Sequence, residues 1–177
     1  NYFEDFENDV QGWWDGSALP EAVWEHGKPN KSSLNAAYSG DNVWVTKLTG
    51  EYPAETEAIL YSPVLDFTST TNPYLNIMLN IKTEEAFDGM ILEASVNGEV
   101  WTKVNGGDAL YNYKTTQQSW DLGAPWWSGF SAGWKQFGVS LSNYVGESNV
   151  MFRFKFRSDI YVNDEGISID NFAITES

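Results

Sequence analysis

Cysteine is absent from the 177 residues, which excludes disulfides, thiolate metal sites and a cysteine nucleophile, so an extracellular destination has to rest on other evidence. Histidine occurs once, at His26, so a zinc site of several imidazoles is excluded and a Ser-His-Asp triad would need that one ring. Basic residues are scarce. Ten Lys and Arg stand against 25 Asp and Glu, giving a formal charge of -15 and a pI near 4.2. No basic footprint is left for phosphate backbones, and nucleic acid is not an expected partner. An acidic surface suits calcium, high solubility or a salty exterior, and equally plain solvation. Apolar runs fall far short of the roughly 20 residues of a membrane span. Gly-x-Ser-x-Gly and His-Glu-x-x-His are both missing, so protease chemistry is not expected in this chain.

Aromatic residues are plentiful: 9 Trp, 9 Tyr and 10 Phe in a chain that is 42% hydrophobic, enough for one sizeable core. Helical periodicity is nearly absent, while β-rich runs recur between Gly, Asn, Asp, Ser and Pro, the pattern of an antiparallel sandwich. Strands are predicted near residues 2–7, 22–26, 36–38, 43–46, 57–61, 74–81, 90–96, 100–104, 134–140, 150–156 and 167–174. About eleven strands suit an all-β jelly roll. Asn97-Gly98 between two such runs predicts a hairpin, because Asn-Gly readily takes the positive φ angles of a type I′ turn. From Met151 to Phe156 the alternation puts Met151, Arg153 and Lys155 on a wet face and three phenylalanines on the other.

One long stretch has no such pattern. Residues 105–133 carry Tyr111, Tyr113, Trp120, Trp126, Trp127 and Phe130 among Gly, Thr, Gln and Ser, too aromatic for disorder and long enough to be functional. Trp126 and Trp127 lie between Pro125 and Ser128-Gly129, where rings are harder to bury than in a strand. These two, with Tyr111, Tyr113 and Trp120, are candidate stacking surfaces for sugar rings; the competing reading is a cover over a hydrophobic edge. Of Trp13 and Trp14, alternation leaves one for the core.

Several segments in order carry a resemblance: Asp5 to Trp13, Val23 to Pro29, Ala37 to Trp44, Leu48 to Pro53, Leu60 to Asp66, Leu92 to Gly98 with Trp101, Phe152 to Phe154, Ser158-Asp159 and Gly166 to Phe172. Together they resemble the MAM-like jelly-roll modules of secreted bacterial immune inhibitor A-type peptidases and bacillopeptidase F. The resemblance implies a single module excised from a larger secreted or cell-surface protein, monomeric, and adhesive or structural beside its parent's other domains. It places Trp24, Trp44 and Trp101 in the core. The 105–133 insertion departs from the family, which has a short turn there.

Similar jelly rolls hold a calcium ion between first and last strands. Carried over residue by residue, the ligands become Glu7, Asp170 and backbone oxygens of the Ser39 to Asn42 turn. Calcium's preference for six to eight oxygens agrees with that set. Asp41, Asp164 and Glu165 are weaker candidates. Catalysis is not expected. Glycosidases need two carboxylates across a cleft, and the clusters Glu4 to Glu7 and Glu84 to Asp88 lack the alternating carboxylate strand of laminarinase-like jelly rolls. The expected role is a non-catalytic accessory module, stabilised by calcium, whose partner is a polysaccharide or an extracellular protein.

Overall fold

The structure is a computed structural model that describes residues 1–17, 21–106, 110–111 and 125–177. Among the described residues eleven strands pair antiparallel in two stacked sheets, a jelly-roll β-sandwich. One sheet runs β3 (Trp24–Gly27), β4 (Val43–Thr46), β11 (Gly166–Glu176), β6 (Pro73–Lys82) and β9 (Phe130–Ser140), with β1 (Tyr2–Glu4) added on β11. The other runs β2 (Trp14–Asp15), β5 (Glu57–Tyr61), β10 (Met151–Arg157), β7 (Gly89–Ser95) and β8 (Thr102–Lys103). The first strand lies beside the last, Tyr2 opposite Ile174 and Glu4 opposite Phe172.

Period-two alternation builds the core. Phe152, Phe154 and Phe156 of β10 point inward and are fully buried, while Met151, Arg153, Lys155 and Arg157 face outward. Leu75, Ile77, Leu79 and Ile81 of β6 close the space from the opposite sheet. Burying each such side chain is worth about 1.5–3 kcal/mol over leaving it exposed.

Three expectations change. Residues 36–38 form a turn and not a strand, because the Tyr38 and Ser39 N–H groups donate to the Asp170 carboxylate instead of to a neighbouring strand. The hairpin at Asn97-Gly98 exists, but pairing resumes only at Ala94 opposite Thr102. Only Gly98 of that pair has positive φ, at 75°, and the Ser95 hydroxyl and Asn97 side-chain oxygen capture the intervening N–H groups, giving a longer loop than a two-residue type I′ turn. Strand β2 was not foreseen; two residues are too short for a periodic signal.

Candidate functional site

Two arrangements stand out, one joining the chain's ends and one on a sheet face. Glu7 follows Phe6, which has φ of 60°, and His26 Nε2 donates to the Phe6 carbonyl at 2.6 Å. That contact fixes the backbone presenting Glu7. The Glu7 carboxylate then accepts the N–H groups of Asp41 at 3.0 Å and Asn42 at 2.7 Å. Between them Gly40, at φ of 62°, passes so close that a Cβ there would collide with the Glu7 carboxylate. From the far end of the chain, Asp170 Oδ2 accepts from Tyr38 at 2.9 Å and Ser39 at 3.0 Å, and the Ser39 hydroxyl donates to Asn171 Oδ1 at 2.7 Å.

The predicted clamp residues Glu7, Ser39, Asn42 and Asp170 thus converge on one turn. Asp170 is fully buried, and burial pushes its carboxyl up to about 6, with the nearby Glu7 charge acting the same way and the N–H bonds opposing. Among the described residues no Lys or Arg pairs with either carboxylate. Two carboxylates, the Ser39 hydroxyl and the Asn171 amide oxygen gather there, oxygen donors of the kind a hard divalent cation takes, while the turn presents N–H groups to the carboxylates where backbone oxygens were expected. The weaker candidates have other partners: Asp41 pairs with Lys28 at 3.4 Å, and Glu165 with Lys82 at 3.0 Å and the Ser33 N–H at 2.8 Å.

The second arrangement covers the outer face of the five-stranded sheet. Trp14, opposite Tyr61 in the register, lays its indole on the Tyr61 ring with 4.3 Å between centroids and 16° between planes. Tyr61 meets Trp101 edge to face at 5.5 Å, and the Arg153 guanidinium lies 4.4 Å from the Trp101 ring centre. Arg153 Nε donates to Glu93 at 2.8 Å, and Lys155 reaches the same carboxylate at 3.4 Å. The result is a row of flat rings with a charged hydrogen-bonding group set among them. Trp14 is 50% exposed and Trp101 is partly exposed on this face, which corrects the expectation that Trp101 is core. Trp24 and Trp44 are buried as expected, as is Trp13. The register that brings Tyr61, Arg153 and Glu93 into one row was not visible in the sequence, although the wet side of β10 was.

The insertion behaves differently from its expected role as a stacking surface. Trp126, Trp127 and Tyr111 are buried in the main core. Trp127 pairs by backbone with Met90, packs on Tyr111 at 4.6 Å and Phe137 at 5.7 Å, and its indole N–H donates to the Leu110 carbonyl at 2.8 Å. The Tyr111 hydroxyl donates to the Val104 carbonyl at 2.8 Å. With the Trp127 indole N–H and the Tyr111 hydroxyl satisfied by backbone carbonyls and Trp126 buried beside them, these rings gain more from burial than from solvent, so as placed they offer no open face to a sugar. Tyr113 and Trp120 lie outside the described residues.

Glu84, Asp88 and Asp159 bring one carboxylate oxygen each within 4.8 Å of one another. Asp88 is fully buried and accepts the Tyr52 hydroxyl at 2.6 Å and the Asp159 N–H at 2.7 Å. Burial pushes the Asp88 carboxyl up to about 6 and raises Glu84 as well. This knot ties the loop after β10 to the loop before β7. Among the described residues no helix is long and apolar enough to cross a membrane, which says nothing of crossing by strands.

The sheet order is that of a jelly-roll β-sandwich, a fold this chain shares with solved adhesin and carbohydrate-binding modules. No family model matches the chain. Bacillopeptidase F of Bacillus subtilis (strain 168) is 26% identical over 176 residues, 99% of this chain and 11% of that protein, so the chain spans about a tenth of its relative's length. The K1 cleaved adhesin domain of Lys-gingipain from Porphyromonas gingivalis W83 superposes with a TM-score of 0.58 at 16% identity, covering 99% of this chain and 98% of that one. The TmCBM61 module, solved in complex with β-1,4-galactotriose, gives 0.56 at 12% identity, covering 98% and 91%.

Proposed function

We propose that this chain is a non-catalytic, carbohydrate-binding accessory module of a secreted or cell-surface multidomain protein, braced by a structural calcium ion. The observation that carries it is the outer row of Trp14, Tyr61 and Trp101 with Arg153 and Glu93 beside them. Flat rings stack on the apolar faces of pyranoses, and a guanidinium and a carboxylate bond the hydroxyls at their edges. An open row suits an internal stretch of a polysaccharide. Calcium, held by Glu7, Asp170 and the Ser39 to Asn42 turn, would tie the first strand to the last and so stabilise the sandwich.

Native affinity electrophoresis through soluble polysaccharides tests this reading. The structural likeness to a module solved with a galactotriose makes β-1,4-galactan the first to try, followed by xylan and mixed-linkage β-glucan. Retardation that disappears in a Trp14→Ala, Trp101→Ala double variant supports the reading, and free migration in every gel defeats it. The second reading, a protein-binding or spacer domain attached to a secreted protease, draws on the likeness to an adhesin domain. It gains if no polysaccharide retards the protein.

A further inference from the structure

The outer face of the six-stranded sheet, on the opposite side of the sandwich, carries its own depression of about 210 Å³. Its floor follows from the register: Phe3 stands opposite Ala173, Ala173 opposite Asn76, and Met78 opposite Gln136. Ala173 is small, so the floor dips there, and Phe3 and Tyr38 rise at the rim with their rings exposed, at 59% and 52%. Tyr38 is not loose. Its N–H is held by Asp170, and its ring meets Trp134 edge to face at 6.2 Å.

The floor is polar without being charged. Gln136 Nε2 donates to Asn76 Oδ1 at 2.9 Å, which leaves Asn76 Nδ2 as a donor and Gln136 Oε1 as an acceptor with no partner among the described residues. Among the described residues no Asp, Glu, Lys or Arg lines the depression, in a chain where 20% of residues are charged. A charged ligand would find no counter-ion there. A purely apolar one would strip water from the amides without replacing its hydrogen bonds. A sugar ring meets both demands, with apolar faces for Phe3 and Tyr38 and hydroxyls for Asn76 and Gln136.

We propose that this depression is a second carbohydrate site, taking one uncharged pyranose ring between Phe3 and Tyr38. It rests on different residues and a different sheet from the row around Trp14. Because the two faces point away from each other, one polysaccharide stretch does not lie on both. The module would bridge two chains, and its avidity for a dense matrix would exceed either site's affinity.

The test titrates the ¹⁵N-labelled chain with methyl β-glucopyranoside, methyl β-galactopyranoside, methyl β-xylopyranoside and methyl α-mannopyranoside, each to about 50 mM, reading the side-chain amide signals of Asn76 and Gln136. The expected result is saturable movement with at least one glycoside, at a dissociation constant on the order of 1 mM. That movement persists in the Trp14→Ala, Trp101→Ala double variant and weakens at least about 5-fold in both Tyr38→Ala and Phe3→Ala. Phe3 and Tyr38 are on separate elements and exposed, so Phe3→Ala gives the same readout should Tyr38→Ala loosen its turn. Absence of saturable movement with all four glycosides overturns the proposal. So does movement that survives both rim variants, and so does movement lost in the double variant, which would leave only the row around Trp14.

Discussion

The Trp14 indole lies flat on the Tyr61 ring, 4.3 Å between centroids, with half of its own surface left to solvent. Its neighbour Trp13 is turned the other way into the core, where it meets Phe6 edge to face at 5.4 Å. Two adjacent tryptophans therefore do opposite work, one holding the sandwich together and one facing outward.

Trp14→Ala should cost about 1–2 kcal/mol in unfolding, well below the loss for a fully buried indole, because half of its surface is already in solvent. The same change should weaken retention by the polysaccharide that the wild type binds by at least about 10-fold, as expected for an aromatic anchor. Urea unfolding and affinity electrophoresis on one preparation separate the two effects. A large stability loss with unchanged retention would mean the ring is structural.

Trp127→Ala should behave in the reverse way. The side chain is fully buried and packed on Tyr111, Phe137 and Phe154. Its removal leaves a cavity and an unpaired Leu110 carbonyl, and the expected cost is about 3–5 kcal/mol. The melting temperature should fall by roughly 10 °C. An unperturbed melt would show that the ring is not in the core.

Calcium should raise the melting temperature relative to a chelator. At about 100-fold excess over the dissociation constant the gain is about 2–3 kcal/mol, or roughly 5–10 °C for a chain of this size. Glu7→Gln and Asp170→Asn should each remove most of that difference, whereas Asp41→Asn should leave it intact, since Asp41 is exposed and paired with Lys28. Equal melting in calcium and chelator for the wild type would refute the clamp as a metal site.

In chelator, stability should rise as the solution is acidified from pH 7 to pH 5. Asp88 is pushed up to about 6 from an ordinary 3.8, so the folded state holds a proton that the unfolded chain gives up in this range. Ionising a carboxyl with a raised value costs folded-state stability, and that cost disappears as pH falls through 6. The gain is about 1 kcal/mol per such group, and Asp170, also pushed up to about 6, adds in the same direction. Below about pH 4 the trend reverses, because Glu165 and Glu176 are held below their usual range and their protonation removes stabilising contacts. Glu84, also raised, adds in the same direction, and Asp88→Asn should flatten the rise between pH 7 and 5 without abolishing it; thermal melts across that range read it directly.

The alternation of Phe152, Phe154 and Phe156 with Arg153 and Lys155, and the Gly, Asn and Pro breaks between β-rich runs, made the all-β sandwich legible in the sequence. Period two is a local property that survives without knowledge of partners. Glu7, Ser39, Asn42 and Asp170 were also legible together, through their place in a recognisable order of segments. What these residues could not reveal was who stands beside whom. Trp101 and Trp127 are the same amino acid in equally Gly-rich surroundings, yet one faces outward beside Arg153 and the other is sealed under Tyr111. That difference is decided by strand register and by which loop folds over which sheet, contacts between residues far apart in the chain. The pairings of Trp14 with Tyr61 and of Phe3 with Ala173 are likewise products of tertiary packing. Sequence alone set the two kinds of face, apolar and wet; only the assembled sheets decided which aromatic rings each wet face would carry.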